Sequence, residues 1–101
     1  MRVLSWNIRG LESWLKRKAI KSLLRKQRIE MTFIVETKLE VVSDDVVKSI
    51  WWTGVFRYES VPSLGSLGGI LVIWEQTKFD LIDIFHDPFF LHLRGNWSLE
   101  A

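Results

Sequence analysis

Two short apolar runs, Val3–Ile8 and Met31–Val35, enclose one amphipathic helix, and this order constrains the fold more than any other feature. The second run is too short for a helix and rich in β-branched residues, which predicts a buried strand. Between the runs, residues 13–28 place apolar side chains on one face at helical spacing, with Ser13 as the N-cap. Two strands joined by one helix form a right-handed crossover with parallel strands. The sequence therefore predicts a βαβ unit at the start of an α/β fold.

The rest of the chain predicts a second helix and then strands. Ser43 followed by two acidic residues is typical of a helix start, because a cap and negative charge suit its positive end. The glycine-rich segment 63–69 does not open a helix, so it predicts a turn between strands, with a DNA contact as the second possibility. The further strands and turns are Val55–Val61, Ile70–Trp74, Phe79–Phe85, a turn at Asp87-Pro88, Phe89–Leu93, a turn at Gly95-Asn96, and a new strand from Trp97 to Leu99. The order is β-α-β-α-β-β-β-β.

Positive charge is concentrated in the first helix. The formal net charge is only +2, yet residues 1–28 hold nine Lys or Arg against one acid. The apolar face of this helix comprises Leu15, Ala19, Ile20, Leu23 and Leu24. Clustered bases attract phosphate backbones, which makes candidate nucleic-acid-binding residues of Arg9, Lys16, Arg17, Lys18 and Lys21. A solvated helix face has the same composition and is the more common explanation, so both interpretations stay open.

Composition excludes several classes of protein. Apolar residues make up 48% of the chain, with six Trp and six Phe, which excludes disorder as the main state. No apolar run reaches the ~18 residues of a membrane span, and the first residues lack a secretory leader's apolar segment. The absence of cysteine excludes disulfides and fits a reducing compartment. We therefore expect an intracellular protein, nuclear or cytoplasmic, that does not bind membranes.

Two polar side chains follow the strands of the βαβ unit. Asn7 lies at the carboxyl end of the first strand and Glu36 at the carboxyl end of the second. If these strands are parallel neighbours, both side chains emerge at the edge where open α/β sheets bind ligands. Glutamate is a hard oxygen ligand for Mg²⁺, and an asparagine amide can donate to a phosphate oxygen. On spacing alone, a solvated glutamate and a turn asparagine are the more common explanation.

Three motifs resemble a known family. They are LSWNIRGL at Leu4–Leu11, FIVETK at Phe33–Lys38, and the glycine-rich segment and strand at Ser63–Trp74. Their order and spacing resemble the endonuclease/exonuclease/phosphatase (DNase I-like) family. More narrowly, the chain looks like the endonuclease domain of LINE-type (non-LTR) retrotransposons, in which a basic helix joins the first two motifs. The resemblance covers essentially the whole chain.

The resemblance implies Mg²⁺-dependent hydrolysis of DNA phosphodiesters. It implies that Glu36 is catalytic and binds the Mg²⁺, and that Asn7 is catalytic and helps to position the metal and the scissile phosphate. The metal would stabilise charge on the phosphate oxygens. The family's later motifs are missing from this sequence, since Tyr58 lies on a different strand and His86 and His92 flank a turn. We expect structural roles for both histidines.

We therefore expect residues 1–101 to be a truncated domain, a partial two-sheet α/β sandwich that forms the N-terminal half of a DNase I-like fold. Without the later motifs, we expect no catalysis from this chain alone. A sheet face meant for a missing half would expose apolar side chains, with Trp74 and its strand Ile70–Trp74 as candidates, and would favour self-association. The alternative function is a non-catalytic nucleic-acid-binding module that uses the basic helix, residues 13–28.

Overall fold

The computed structural model describes residues 1–98, which form two sheets and two helices. The strands are β1 (Val3–Asn7), β2 (Met31–Val35), β3 (Phe56–Val61), β4 (Ile70–Glu75), β5 (Phe79–Asp87) and β6 (Phe90–Trp97). The helices are α1 (Trp14–Gln27) and α2 (Asp44–Ile50). This order confirms the predicted α/β arrangement and is compatible with part of a two-sheet DNase I-like fold. No helix within residues 1–98 is long and apolar enough to cross a membrane.

The larger sheet has four strands in the order β1-β2-β4-β3, and β5 and β6 form a separate two-stranded sheet. Strands β1 and β2 are parallel, with Asn7 opposite Val35. Strand β4 is antiparallel to both of its neighbours. Because α1 returns the chain to the edge of the sheet where β1 begins, β2 runs in the same direction as β1. The carboxyl ends of the two strands therefore lie side by side, as the βαβ pattern predicts.

Both helices begin at the predicted caps. The Ser13 hydroxyl accepts a hydrogen bond from the Lys16 amide at 3.2 Å, and the Ser43 hydroxyl accepts one from the Val46 amide at 3.3 Å. These bonds satisfy amides that have no partner within the helix. The last turn of α1 holds Arg25 and Lys26, the charge that its negative end favours.

The helices cover one face of the four-stranded sheet. The buried cluster between them comprises Leu11, Ile20, Leu24, Ile29, Ile34, Val47, Ile50, Trp51, Leu71 and Ile73. On β2 and β4 these side chains alternate with others that point to the opposite face, as the pleat of a strand requires. The strands therefore supply apolar side chains to two separate cores.

The hairpin formed by β5 and β6 covers the opposite face. Trp74 and Phe79 pack there edge to face, with ring centroids 5.7 Å apart. Trp74 is 0% exposed, so the expectation that it lies on an open sheet face is wrong. The chain folds back after β4 and places its own hairpin over this face. Exposed aromatic side chains are found instead near the tip of the hairpin, where Phe89 is 83% exposed.

The predicted turn at Asp87-Pro88 is confirmed, and the one at Gly95-Asn96 is wrong. The Asp87 carboxylate accepts hydrogen bonds from the Phe89 and Phe90 amides at 2.7 and 3.0 Å. Gly95 lies within β6, where a Cβ would meet the Asp80 carbonyl oxygen at 2.3 Å and the Phe79 ring at 2.5 Å. Gly95 therefore permits close packing inside a strand. Trp97 ends β6, and Leu99 lies outside the described residues.

Candidate functional site

The backbone beyond the end of β2 is hydrogen-bonded on both sides. On the β1 side, the Gly10 amide donates to the Glu36 carbonyl at 2.8 Å. On the β4 side, the Thr37 amide donates to the Gly69 carbonyl at 3.2 Å, and the Lys38 amide donates to the Gly68 carbonyl at 2.8 Å. Residues 36–38 are thus fixed between two neighbouring segments although they are no longer part of a regular strand. We call these residues, together with the turn after β1 at residues 7–9, the Glu36 edge.

Three residues at the Glu36 edge have a left-handed backbone conformation, which is unfavourable for any residue with a Cβ atom. The φ angles are 55° at Arg9, 58° at Glu36 and 59° at Lys38. A fourth such residue, Arg28, ends α1, where this conformation is common. A left-handed residue other than glycine costs about 1–3 kcal/mol and persists only where its surroundings impose it. Such strain collects at functional sites, so its concentration around Glu36 marks this edge as a candidate.

Gly69 and Thr37 pack closely against each other directly beside Glu36. A Cβ on Gly69 would lie 2.2 Å from the Thr37 hydroxyl oxygen, and the Gly69 φ angle is 93°. Thr37 is fully buried, and its hydroxyl accepts a hydrogen bond from the Leu39 amide at 3.3 Å. The sequence predicts a turn at these glycines but not this contact. The signal that could have revealed it is the glycine pair directly before a buried strand.

The two predicted catalytic side chains lie at the same edge but in different surroundings. The Glu36 side chain is half-buried and makes no hydrogen bond or ion pair with any other residue among positions 1–98. Asn7 is exposed, and its side-chain oxygen accepts a hydrogen bond from the Arg9 amide at 3.1 Å. This bond fixes the turn after β1 and leaves the NH₂ group of Asn7 available to a ligand.

The tip of the hairpin reaches the Glu36 edge. Pro88 and Phe89 line a cavity of 190 Å³ together with Glu36, Gly69 and Ile70. No local sequence pattern predicts this approach, because it depends on how the hairpin packs against the sheet. The first part of the chain thus supplies the carboxylate, and the hairpin supplies an apolar wall beside it.

Neither histidine is part of the cavity at Glu36. His86 lines a neighbouring, mostly apolar cavity of 460 Å³ with Val61 and Pro62. The His92 ring stacks on Phe85 with ring centroids 6.0 Å apart. His86 lies on β5 and His92 on β6, so the two histidines stand on either side of the turn that joins these strands.

Most of the predicted nucleic-acid-binding cations are engaged by backbone carbonyl groups. The Lys16 ammonium donates to the Ile8 carbonyl at 3.1 Å, and the Arg17 side chain donates to the Leu11 carbonyl at 2.6 Å. Lys21 donates to the Lys48 carbonyl at 3.2 Å. These bonds satisfy carbonyl groups after β1 and at the end of α2. Lys16 and Arg17 therefore help to fix the turn that leads away from Asn7.

The inward orientation of Lys16 and Arg17 also corrects the predicted apolar face of α1. Leu15 is 75% exposed, while Ile20 and Leu24 are buried. Residues 16, 20 and 24 share one stripe of a helix, so the side chain at position 15 turns toward solvent. Of the other predicted cations, Lys18 is exposed, with its ammonium 4.6 Å from the centre of the Trp14 ring, and Arg9 is exposed.

The Glu36 carboxylate fits the role of a single protein ligand in an open Mg²⁺ site. No group of three or more His, Asp or Glu side chains within residues 1–98 could enclose a metal ion. Protein sites for Mg²⁺ commonly use one or two carboxylates and complete the shell with water and substrate phosphate. The unpaired carboxylate of Glu36 meets that description, and the Asn7 amide can complement it.

Comparisons with known protein families and with curated proteins give no match. Among solved structures, the chain is similar to the AP endonuclease LMAP from Leishmania major, with a TM-score of 0.55 and 20% sequence identity. The similarity covers 73% of this chain and 24% of that chain, so this chain spans about a quarter of the endonuclease's length. At this identity the likeness concerns the fold. The two sheets and two helices of residues 1–98 are those of a partial DNase I-like α/β fold.

Proposed function

We propose that this chain is the N-terminal part of a Mg²⁺-dependent DNA endonuclease-like domain, and that the Glu36 edge is its metal and phosphate site. The observation that carries the proposal is the unpaired Glu36 carboxylate on a strained backbone at the joint end of β1 and β2. Strain of this kind contributes nothing to stability, and a ligand site explains why it is retained. The resemblance of the motifs at Leu4–Leu11 and Phe33–Lys38 supports the narrower proposal of a LINE-type retrotransposon origin.

Each residue of the site has a distinct proposed role. Glu36 holds the Mg²⁺ through its carboxylate, and the Asn7 amide donates to an oxygen of the scissile phosphate. A bound Mg²⁺ supplies positive charge that stabilises the phosphate oxygens during hydrolysis. Gly69 and Thr37 position Glu36 through the backbone, and Lys16 and Arg17 position the turn that follows Asn7.

Metal binding at Glu36 can be tested directly with Mn²⁺, a paramagnetic substitute for Mg²⁺. We expect Mn²⁺ to broaden the NMR signals of the Glu36, Thr37 and Gly10 amides selectively, and excess Mg²⁺ to restore them. Glu36→Gln should abolish this effect because it removes the charge and keeps the shape. Glu40→Gln is the matched control, since Glu40 is exposed and lies in the following loop. Broadening that persists in Glu36→Gln would contradict the proposal.

We also propose that residues 1–101 do not cleave DNA by themselves. In support, residues 1–98 offer one unpaired carboxylate at the site and no cluster of metal-ligating side chains. The expected result is that supercoiled plasmid with Mg²⁺ stays intact in the presence of the chain. Nicking that Glu36→Ala eliminates would show instead that the chain is a complete enzyme.

The second candidate function is a non-catalytic nucleic-acid-binding module that uses the basic helix. It is supported by exposed cations such as Lys18 and Arg9, which form no ion pair within residues 1–98. Its affinity should fall steeply with salt and need no metal. The variant to use is Lys18→Gln with Arg9→Gln, because changes at Lys16 or Arg17 would also disturb the fold. Unchanged affinity in that double variant would exclude this function.

We propose that any self-association uses the tip of the hairpin, since the sheet face around Trp74 is covered. Phe85 is 57% and Phe89 is 83% exposed, and neighbouring exposed aromatic residues commonly mark contact surfaces. Sedimentation should show association that Phe89→Ser reduces. Association that is the same in Phe89→Ser would exclude this surface.

A further inference from the structure

A third cavity lies at the opposite end of the sheet from Glu36. It has a volume of 330 Å³ and is lined by residues from the middle of α1, the end of α2 and the segment that leads to β3. The Trp52 indole in its wall donates to the Ile29 carbonyl at 2.9 Å, close to the start of β2. Glu36 follows the other end of that strand. The cavity is thus separate from the proposed metal site.

Two lysines give this cavity an uncompensated positive charge. Lys21 and Lys48 both line it, and neither forms an ion pair within residues 1–98. The Lys21 ammonium donates once, to the Lys48 carbonyl, and this bond offsets the negative end of α2. A lysine has three donors, so two N–H groups of Lys21 stay available to a ligand. The exposed Lys48 ammonium supplies three more.

Three aromatic rings form most of the remaining wall, and hydrogen bonds fix two of them. The Trp51 indole donates to the Thr53 hydroxyl at 2.7 Å, while Trp52 is held by Ile29. The two indole rings are tilted by 49°, with centroids 6.5 Å apart. Trp51 is 1% exposed, so Trp52 and the half-buried Phe56 supply most of the accessible aromatic surface. Gly54 adds no side chain at the mouth, and even a Cβ there would meet nothing within 4 Å.

We propose that this cavity binds a planar aromatic ring that carries a phosphate, with a nucleoside monophosphate as the representative ligand. The ring packs against Trp52 and Phe56, and the phosphate accepts hydrogen bonds from Lys21 and Lys48. The volume of the cavity, 330 Å³, lies at the lower end of the ~300–1,000 Å³ range of small-molecule sites, which suits a single nucleotide. Fixed rings lose little freedom when the ligand binds, which favours affinity.

The test is a titration with AMP, followed by tryptophan fluorescence and by the indole N–H signals in NMR spectra. We expect quenching of the fluorescence and selective shifts of the Trp51 and Trp52 indole signals. Adenosine and inorganic phosphate should each bind at least about tenfold more weakly than AMP, because each offers half of the contacts. Lys48→Ala should weaken AMP binding by about tenfold and leave the fold intact, since Lys48 is exposed.

Two controls separate this site from the other basic surfaces of the protein. Lys26→Ala removes an exposed lysine of α1 that does not line the cavity, so AMP affinity should stay unchanged. Glu36→Gln should also leave AMP binding unchanged, which keeps this result independent of the proposed metal site. Equal weakening by Lys48→Ala and Lys26→Ala would overturn the proposal, because it would indicate nonspecific attraction. Absence of binding in the titration would overturn it as well.

Discussion

The two faces of the four-stranded sheet are covered in very different ways. On one face, α1 and α2 enclose side chains such as Leu24, Ile34 and Leu71, all of which are 0% exposed. On the other, the hairpin of β5 and β6 buries Trp74 and Phe79 near its base, while aromatic side chains near its tip are exposed. Burial of apolar surface stabilises by roughly 25 cal/mol per Å². We therefore expect the helix-covered face to be the more stable core and the hairpin to open more easily.

The Glu36 edge lies where these two parts meet. Its backbone is fixed by Gly10, Gly68 and Gly69, which flank strands of the four-stranded sheet. The cavity beside it is closed on one side by Phe89 from the hairpin. The four-stranded sheet thus positions the carboxylate, and the hairpin limits access to it.

The largest expected effect is on the helix-covered core. Ile34→Ala in β2 should lower the free energy of unfolding by about 2–5 kcal/mol, since it leaves a cavity in a fully buried cluster. Leu91→Ala in β6 is the comparison, because Leu91 is only half-buried under the hairpin. Urea unfolding followed by circular dichroism measures both. Equal losses would mean that the two faces contribute alike.

Gly69→Ala should lower stability by about 2–3 kcal/mol, from backbone strain and from the overlap with Thr37. Gly65→Ala is the matched control. Gly65 also has a positive φ angle, but a Cβ there meets nothing within 4 Å, so only the strain applies. The difference in unfolding free energy between the two variants isolates the contact that positions Glu36. No difference would remove Gly69 and Thr37 from that role.

Glu36→Gly should raise the free energy of unfolding by up to about 1 kcal/mol, because glycine adopts a left-handed backbone without strain. Metal binding should be lost in the same variant. Glu40→Gly, in the loop that follows, has no positive φ to relieve and should be neutral or destabilising. Thermal unfolding of the pair measures the strain. A loss of stability in Glu36→Gly would contradict the account of this edge.

These expectations also show how far the sequence could be read. The order of elements, the caps at Ser13 and Ser43, and the shared edge of Asn7 and Glu36 all follow from local patterns. The burial of Trp74 does not, since it depends on the path of the chain after β4. The turn predicted at Gly95 is wrong because the need for space beside the Phe79 ring is a tertiary constraint with no local sequence pattern. The left-handed conformation of Glu36 has no sequence signal, because glycine is its usual occupant.

The smallest expected effect is at Tyr58, whose hydroxyl donates to the Asp44 carboxylate at 2.5 Å. This hydrogen bond, together with burial and nearby negative charge, raises the pKa of Tyr58 above its ordinary value of 10.0. The folded state therefore binds the proton more tightly, so the stabilisation is complete below pH 10.0 and is lost as pH rises through the folded-state pKa. Tyr58→Phe should cost about 0.5 kcal/mol at neutral pH, the low end for a hydrogen bond, because the pair is exposed to solvent.

Denaturation at neutral pH and above the pKa of Tyr58 measures this pair. The difference in unfolding free energy between wild type and Tyr58→Phe should shrink at the higher pH. A difference that grows would contradict a raised pKa of Tyr58 in the folded state. Phe56→Leu, on the same strand, controls for general loss of aromatic packing, because it leaves the hydrogen bond to Asp44 in place.

The central claim is that the Glu36 edge is fixed by the stable part of the fold while the hairpin opens more easily. Native-state hydrogen exchange tests this claim most directly. We predict that the Gly10, Thr37 and Lys38 amides, which donate to fixed carbonyl groups, exchange only through openings nearly as costly as global unfolding. The amides that pair β5 with β6 should exchange through openings of lower free energy. Fast exchange at Thr37 and Lys38, or equal protection in the hairpin, would contradict the claim.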